Sequence, residues 1–212
     1  YAMIGCDWSS DVCSSDLTGL TLSREQHAFA RQRLLMQGLN DRTDVVLRDY
    51  RHEEGHYDKI VSIEMFEAVG EEHWPTYFEM IRKRLKPGGK AVLQIITIDD
   101  DRFETYRKGA DFIQRYIFPG GMLPSPTALS AAVAKAGLSL KESEFFGKSY
   151  ARTLAEWQRR FQHGWDGVAK QGFDLRFKRM WEYYLAYCET GFDGGSIDVG
   201  LFVIEHPQNA TI

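Results

Sequence analysis

The stretch Lys90 to Ile98 is a long apolar run with no polar alternation, which predicts a strand covered on both faces. Shorter apolar segments at Gly19–Leu22, Asp44–Leu47, Tyr57–Ile63, Ser139–Gly147 and Ile197–Ile204 predict further strands. Between them the pattern turns helical. Ser23 is a good N-cap, with Gln26 three residues later in capping-box position, and a helix is expected from there to Gln37, stopped at Gly38. Glu71–Leu85, Thr127–Ala136, Thr153–Gly164 and Leu175–Tyr187 predict four more helices, the last with Phe177, Trp181 and Tyr184 at helical spacing. Lys86-Pro87-Gly88-Gly89 reads as a turn, and Asp99–Ser125 as an irregular, aromatic-rich insertion. Strands alternating with helices imply an α/β fold: a doubly wound, Rossmann-like and mostly parallel sheet with helices on both faces.

The first residues break this pattern. Asp7 to Asp16 nearly repeats Ser-Ser-Asp and has neither helical nor strand periodicity. We therefore read 1–17 as a non-native or disordered segment, 18–206 as one domain, and 99–125 as its substrate-side insertion. With 212 residues the chain has room for one α/β domain with a sizeable core. Its net charge of −4 argues against nucleic acid as the main partner. No apolar run approaches the ~20 residues that span a bilayer. Cys6, Cys13 and Cys188 have neither metal-ligand nor disulfide-framework spacing, so a reducing cytoplasm is the expected setting. His52 and His56 stand four apart in a glycine-containing turn and read as surface residues rather than a metal pair.

Candidate chemistry lies where strands end, because ligands of open α/β sheets bind beyond the carboxyl ends of the strands. Thr21, Leu22 and Gln26 stand where the second strand meets its helix, Asp49 and Tyr50 follow the third, and Glu64 and Glu67 follow the strand ending at Ile63. Each has a plain structural reading: helix capping, an exposed turn, or solvated carboxylates.

Three motifs raise these positions: Val61-Ser62-Ile63-Glu64-Met65-Phe66-Glu67-Ala68-Val69-Gly70, Tyr116-Ile117-Phe118-Pro119-Gly120-Gly121-Met122-Leu123-Pro124-Ser125, and Phe146-Gly147-Lys148-Ser149-Tyr150 running on to Thr153-Leu154. From about Thr18 to Glu205 the chain resembles the cyclopropane-fatty-acyl-phospholipid synthases, a branch of the class I S-adenosylmethionine (SAM) dependent methyltransferases. The resemblance implies methyl transfer from SAM to a cis double bond of an unsaturated phospholipid acyl chain, with ring closure assisted by bicarbonate. It places Glu67, Gln94, Ile96 through its backbone N–H, and Tyr150 around the bicarbonate, and Gly5, Thr21, Leu22, Gln26, Asp49, Tyr50 and Ile63 on the cofactor. Glu67, not Glu64, holds the acidic site position.

Departures from the family also stand out. Gln94 replaces a histidine found in many members; an amide donates a hydrogen bond but does not change charge near neutral pH. Ile4-Gly5-Cys6 begins the family's glycine loop, and Asp7-Trp8-Ser9-Ser10 breaks it. Nothing here matches the family's N-terminal cover, so neither Cys6 nor Cys13 is expected to take the role of its cysteine. The resemblance further implies a cytoplasmic protein at the inner membrane face, in peripheral contact with lipid, and admits a homodimer. Competing readings are a methyltransferase acting on another small-molecule or lipid acceptor, an inactive truncated copy, and a scaffold without turnover. A protein carboxylate is the competing base.

Overall fold

The computed structural model describes the backbone of residues 3–4 and all of residues 16–208. The glycine-loop position, Gly5, and the Ser-Ser-Asp segment up to residue 15 lie outside the described residues. Among the described residues seven strands form one sheet: β1 (Met3–Ile4), β2 (Leu17–Thr21), β3 (Thr43–Leu47), β4 (Tyr57–Ile63), β5 (Leu85–Ile98), β6 (Ser139–Phe145) and β7 (Ile197–Glu205). Their order is β3-β2-β1-β4-β5-β7-β6. The order runs outward in both directions from the β1/β4 neighbours, as in a doubly wound α/β sheet. The pairs β2/β3 and β4/β5 are parallel, as expected.

Two strands depart from the expected direction. β1 is antiparallel to both β2 and β4, with Met3 opposite Leu20 on one side and Ser62 on the other. β7 also runs against its neighbours: its end bonds to the start of β5 (Gly88 N–H to His206 O, 3.1 Å), and its start bonds to the end of β5 (Asp99 N–H to Ser196 O, 3.2 Å). Slotted between β5 and β6, β7 has ladder partners on both sides and no free edge.

The chain divides into two compact units, Tyr1–Ile95 with Thr127–Glu144 and Leu201–Ile212, and Ile96–Pro126 with Phe145–Gly200. In the first, helix α1 (Arg24–Met36) starts at Ser23, whose Oγ accepts from Gln26 N–H at 3.1 Å. The expected capping box is only half formed: Gln26 Oε1 accepts from Thr21 Oγ1 at 2.8 Å instead of from the Ser23 amide, and Ser23 N–H donates to Thr21 Oγ1. Gly38 ends the helix at φ +68°, a backbone that glycine adopts without Cβ strain. Helix α2 (Trp74–Arg84), preceded by a 3-10 turn at Glu71–His73, buries Trp74, Tyr77, Phe78 and Ile81 on one stripe. Burial at that spacing is the helical period in three dimensions, each side chain contributing about 1.5–3 kcal/mol. Phe66 packs its ring within 5.0–5.2 Å of Trp74, Tyr77 and Phe78. The Lys86–Gly89 turn lies inside β5: Tyr57 pairs with Leu85 and Lys59 with Lys90, so the extra residues bulge out of the ladder. Along β5, Ala91, Leu93, Ile95 and Thr97 are buried, and Val92, Gln94 and Ile96 half-buried. Helix α5 (Pro126–Lys135) buries Leu129 and Val133.

The second unit is more ordered than its composition suggested. The expected irregular insertion contains helices α3 (Asp100–Tyr106) and α4 (Phe112–Tyr116), each started by an aspartate side chain, Asp99 and Asp111. Helix α6 (Gly147–His163) begins six residues before the expected Thr153, and a short α7 (Trp165–Ala169) follows. Helix α8 (Leu175–Asp193) packs on α6 around Ala151, Leu154, Leu185, Phe192 and Val199.

Candidate active site

Strand register gathers the expected positions of the first unit at one end of the sheet. Thr21 is level with Leu47, and Ile63 with Gln94. Met3 pairs with both Leu20 and Ser62, so β2 and β4 are parallel to each other and end side by side. The carboxyl ends of β2, β3 and β4 therefore form one row, carrying Thr21 and Leu22, Asp49 and Tyr50, and Ile63 and Glu64, with Gln94 of β5 level with Ile63.

Asp49 caps a 3-10 turn at Tyr50–His52 and is held by Arg51, whose Nε and Nη2 donate to Asp49 Oδ1 and Oδ2 at 3.0 and 2.6 Å. The guanidinium keeps this carboxyl below the usual carboxylate range. The Tyr50 ring lies edge-on to Tyr77, 5.6 Å between centroids, and burial pushes its phenol up. Leu22 and Ile63 expose 71% and 40% of their surface at this edge.

The β4–β5 end is the most unusual part of the row. Glu64 adopts φ +50°, the one described non-glycine residue in the left-handed region. Its N–H donates to Gln94 O at 2.9 Å, and its Oε1 accepts from Gln94 Nε2 at 2.9 Å. Glu67 lies in the following 3-10 turn, Phe66–Ala68, with its Oε2 buried. Beneath this turn the Tyr77 hydroxyl donates to Ser62 Oγ at 2.9 Å; burial, with the Glu67 charge adding to it, pushes this phenol far up, so it stays protonated. Glu64 and Glu67 share no helical face, because the left-handed bend separates them.

Ile96 and Tyr150 belong to the second unit. Both pack against the Ala151–Leu154–Leu185–Phe192–Val199 cluster. Tyr150 lies in the first turn of α6, its ring 5.8 Å from Phe146 and 5.3 Å from Phe192. Asp198 anchors that turn, its Oδ1 accepting from Gly147 N–H and Val199 N–H at 2.8 Å each. Sequence reasoning passed over Asp198, which is distant in the chain from the helix it caps. It weighed Glu64 and set it aside, since no propensity marks a glutamate for the left-handed region. Cys188 is half-buried, and its loss of solvent pushes the thiol up to about 12 and leaves it a weak nucleophile. Among the described residues no cluster of His, Cys, Asp or Glu could hold a metal ion.

The sequence profile described as mycolic acid cyclopropane synthetase matches residues 3–202. The chain is 41% identical to tuberculostearic acid methyltransferase UfaA1 of Mycobacterium tuberculosis, over 92% of this chain and 47% of that protein. It is 33% identical to cyclopropane-fatty-acyl-phospholipid synthase of Escherichia coli, over 92% and 50%. It thus spans about half the length of these curated relatives. The structure of the cyclopropane synthase MmaA2 from Mycobacterium tuberculosis superposes with a TM-score of 0.82 at 27% identity, over 95% of this chain and 76% of that one. The mycolic acid cyclopropane synthase CmaA1, complexed with SAH and CTAB, superposes at 0.81 and 27%. With this row of strand ends, the V-S-x-x-M-F-E-x-V-G run in its 3-10 turn, and a match over nearly its whole length, the chain belongs to the mycolic acid cyclopropane synthetase family, on a class I SAM-dependent methyltransferase fold.

Proposed function

We propose that this chain is the catalytic part of an enzyme that transfers the methyl group of SAM to a cis double bond in an unsaturated phospholipid acyl chain. The observation that carries this reading is the row of strand ends. Groups suited to a nucleoside stand at β2 and β3, and the bonded pair Glu64–Gln94 stands at β4 and β5, with Glu67 in the turn that follows β4. SAM supplies an electrophilic methyl on a sulfonium. Thr21, Leu22, Gln26, Asp49, Tyr50 and Ile63 hold it, with Gly5 at the glycine-loop position. An alkene is a weak nucleophile, so the chain's contribution is to align it with the methyl and to keep water away from the developing cation. Bicarbonate, as the base, would be held in the first unit by Glu67 and the Gln94 amide, which also bonds Glu64.

After methyl transfer the cation loses a proton, which gives either a cyclopropane ring or a methyl-branched chain that keeps a double bond. The relative at 41% identity is named for tuberculostearic acid, and Gln94 departs from the cyclopropane synthase pattern, which together favour the branch as a second reading. The test is incubation with SAM and vesicles of cis-unsaturated phosphatidylglycerol, with fatty acids read by mass spectrometry and SAM binding measured separately by calorimetry. Ring or branch on the acyl chain supports the reading. SAM binding with no acyl product moves the activity to another acceptor, and no SAM binding removes the methyltransferase reading for this chain.

The lipid is met at a surface. No described helix is long and apolar enough to cross a membrane. In the second unit, Tyr116 and Tyr183 are 61% and 54% exposed, with Tyr187 beside them, and Phe112 joins the rings at 4.6–6.2 Å. Arg115, Arg176 and Arg179 are exposed on the same two helices. Exposed amphipathic rings with cations on the same helices suit an anionic bilayer surface, although Tyr187 Oη donates to Asp111 Oδ2 at 3.2 Å. This supports peripheral contact with lipid.

A further inference from the structure

Glu64 and Gln94 meet through two hydrogen bonds, one from backbone to backbone and one between side chains. The first extends the β4–β5 ladder by one step past Ile63, which is paired with Gln94. The second engages one N–H of the Gln94 amide. A glutamate at φ +50° is strained and persists only where its surroundings over-determine it. Glycine would hold the bend without cost, so the bend alone does not call for this side chain.

The terminal torsion of a free glutamine is broad and roughly two-fold, and its amide can turn over. A carboxylate accepts and does not donate, so Glu64 bonds only to the nitrogen side of the amide. The Gln94 amide is thereby given a fixed orientation beside the end of β4. We propose that Glu64 is a positioning residue for the reaction: it holds the Gln94 amide in one orientation and acts on turnover through Gln94, not through substrate binding. This rests on the methyltransferase reading above.

The test separates the bend from the side chain. Glu64→Gly keeps the left-handed backbone and deletes the carboxylate, so the variant folds. Its kcat on cis-unsaturated phosphatidylglycerol vesicles is expected to fall by roughly tenfold, with KM and the Kd for SAM unchanged. Glu64→Gln, which still offers an acceptor oxygen, is expected to recover most of the loss. In a Gln94→Ala background, Glu64→Gly should have no further effect. Equal kcat in Glu64→Gly and the parent, or an undiminished loss in the Gln94→Ala background, overturns the proposal. The nitrogen-15 resonances of the Gln94 side-chain amide give a readout without turnover. The amide should reorient more in Glu64→Gly than in the parent; equal reorientation in the two overturns the positioning role. If the parent turns over no lipid, the function reading fails, and these resonances alone decide the role of Glu64.

Discussion

Glu67 and Glu64 stand three residues apart, yet their backbones fit them for different work. Glu64 bends back over the neighbouring strand in a left-handed conformation that costs about 1–2 kcal/mol for an L-residue. Glu67 follows in a 3-10 turn whose Phe66 is clamped among three aromatic rings, so the carboxylate is carried on a rigid support. Glu67→Gln is expected to lower kcat by about 100-fold or more while leaving the melting temperature within about 2 °C, since the change removes a charge and keeps the shape. Steady-state kinetics beside a thermal melt checks this, and a lost fold with the activity would reassign Glu67 to structure. Thr21 and Gln26 make a similar point. The residue types marked a cap, but Gln26 reaches Thr21 rather than the Ser23 amide, so only half the box could be read from spacing.

At the scale of elements, periodicity was a good guide where one face is buried and a poor one where side chains from elsewhere finish an end. The β4 and α8 starts match their expected positions because their apolar patterns are local. Helix α6 begins at Gly147 because Asp198, from β7, accepts its amide; nothing near Gly147 announces that. A Cβ at Gly147 would collide with Asp198 Oδ1 and stand 3.1 Å from Phe192 Cδ1. Gly147→Ala should therefore destabilise by about 2 kcal/mol, a fall of roughly 4–8 °C in melting temperature, and displace the Tyr150 turn. An unchanged melt would show that the Asp198 anchor yields.

The turn between β3 and β4 has a pH signature. Glu53 is buried; burial alone would raise its carboxyl, but bonds from Gly55 N–H, the Tyr57 hydroxyl and Arg48 outweigh it and lower it below 4.5. A carboxyl lowered by folding stabilises fully above its unfolded value and loses that contribution as pH falls through the folded value. Urea midpoints should thus hold their Glu53 contribution down to about pH 4.5 and lose it below, and Glu53→Gln should flatten that part of the acid limb. A limb of equal slope in both proteins would mean that Glu53 does not titrate with unfolding.

For the whole molecule, the net charge of −4 predicts no general attraction to anionic lipid. The Arg115–Arg176–Arg179 surface with its tyrosines predicts the opposite locally. Co-sedimentation with phosphatidylglycerol vesicles should exceed that with phosphatidylcholine, weaken as salt rises, and fall at least severalfold in a triple arginine-to-glutamine variant. Equal binding to both lipids would leave the rings without a charge-selective partner.

Some of this protein was determined by the sequence alone: the α/β class, six of the seven strands to within a few residues, the family, and the candidate residues at strand ends. These rest on local patterns of apolar and polar residues and on short motifs, which a linear reading contains. Tertiary structure alone decided the antiparallel course of β7, the early start of α6, and the Glu64–Gln94 pair. Each depends on partners far apart in the chain: a carboxylate 51 residues from the amide it caps, a strand slotted between two others, and a glutamate bent against its preference toward an amide 30 residues away. Hydrogen bonds and packing across such separations are favourable only once the fold has brought the groups together, so spacing along the chain carries no trace of them.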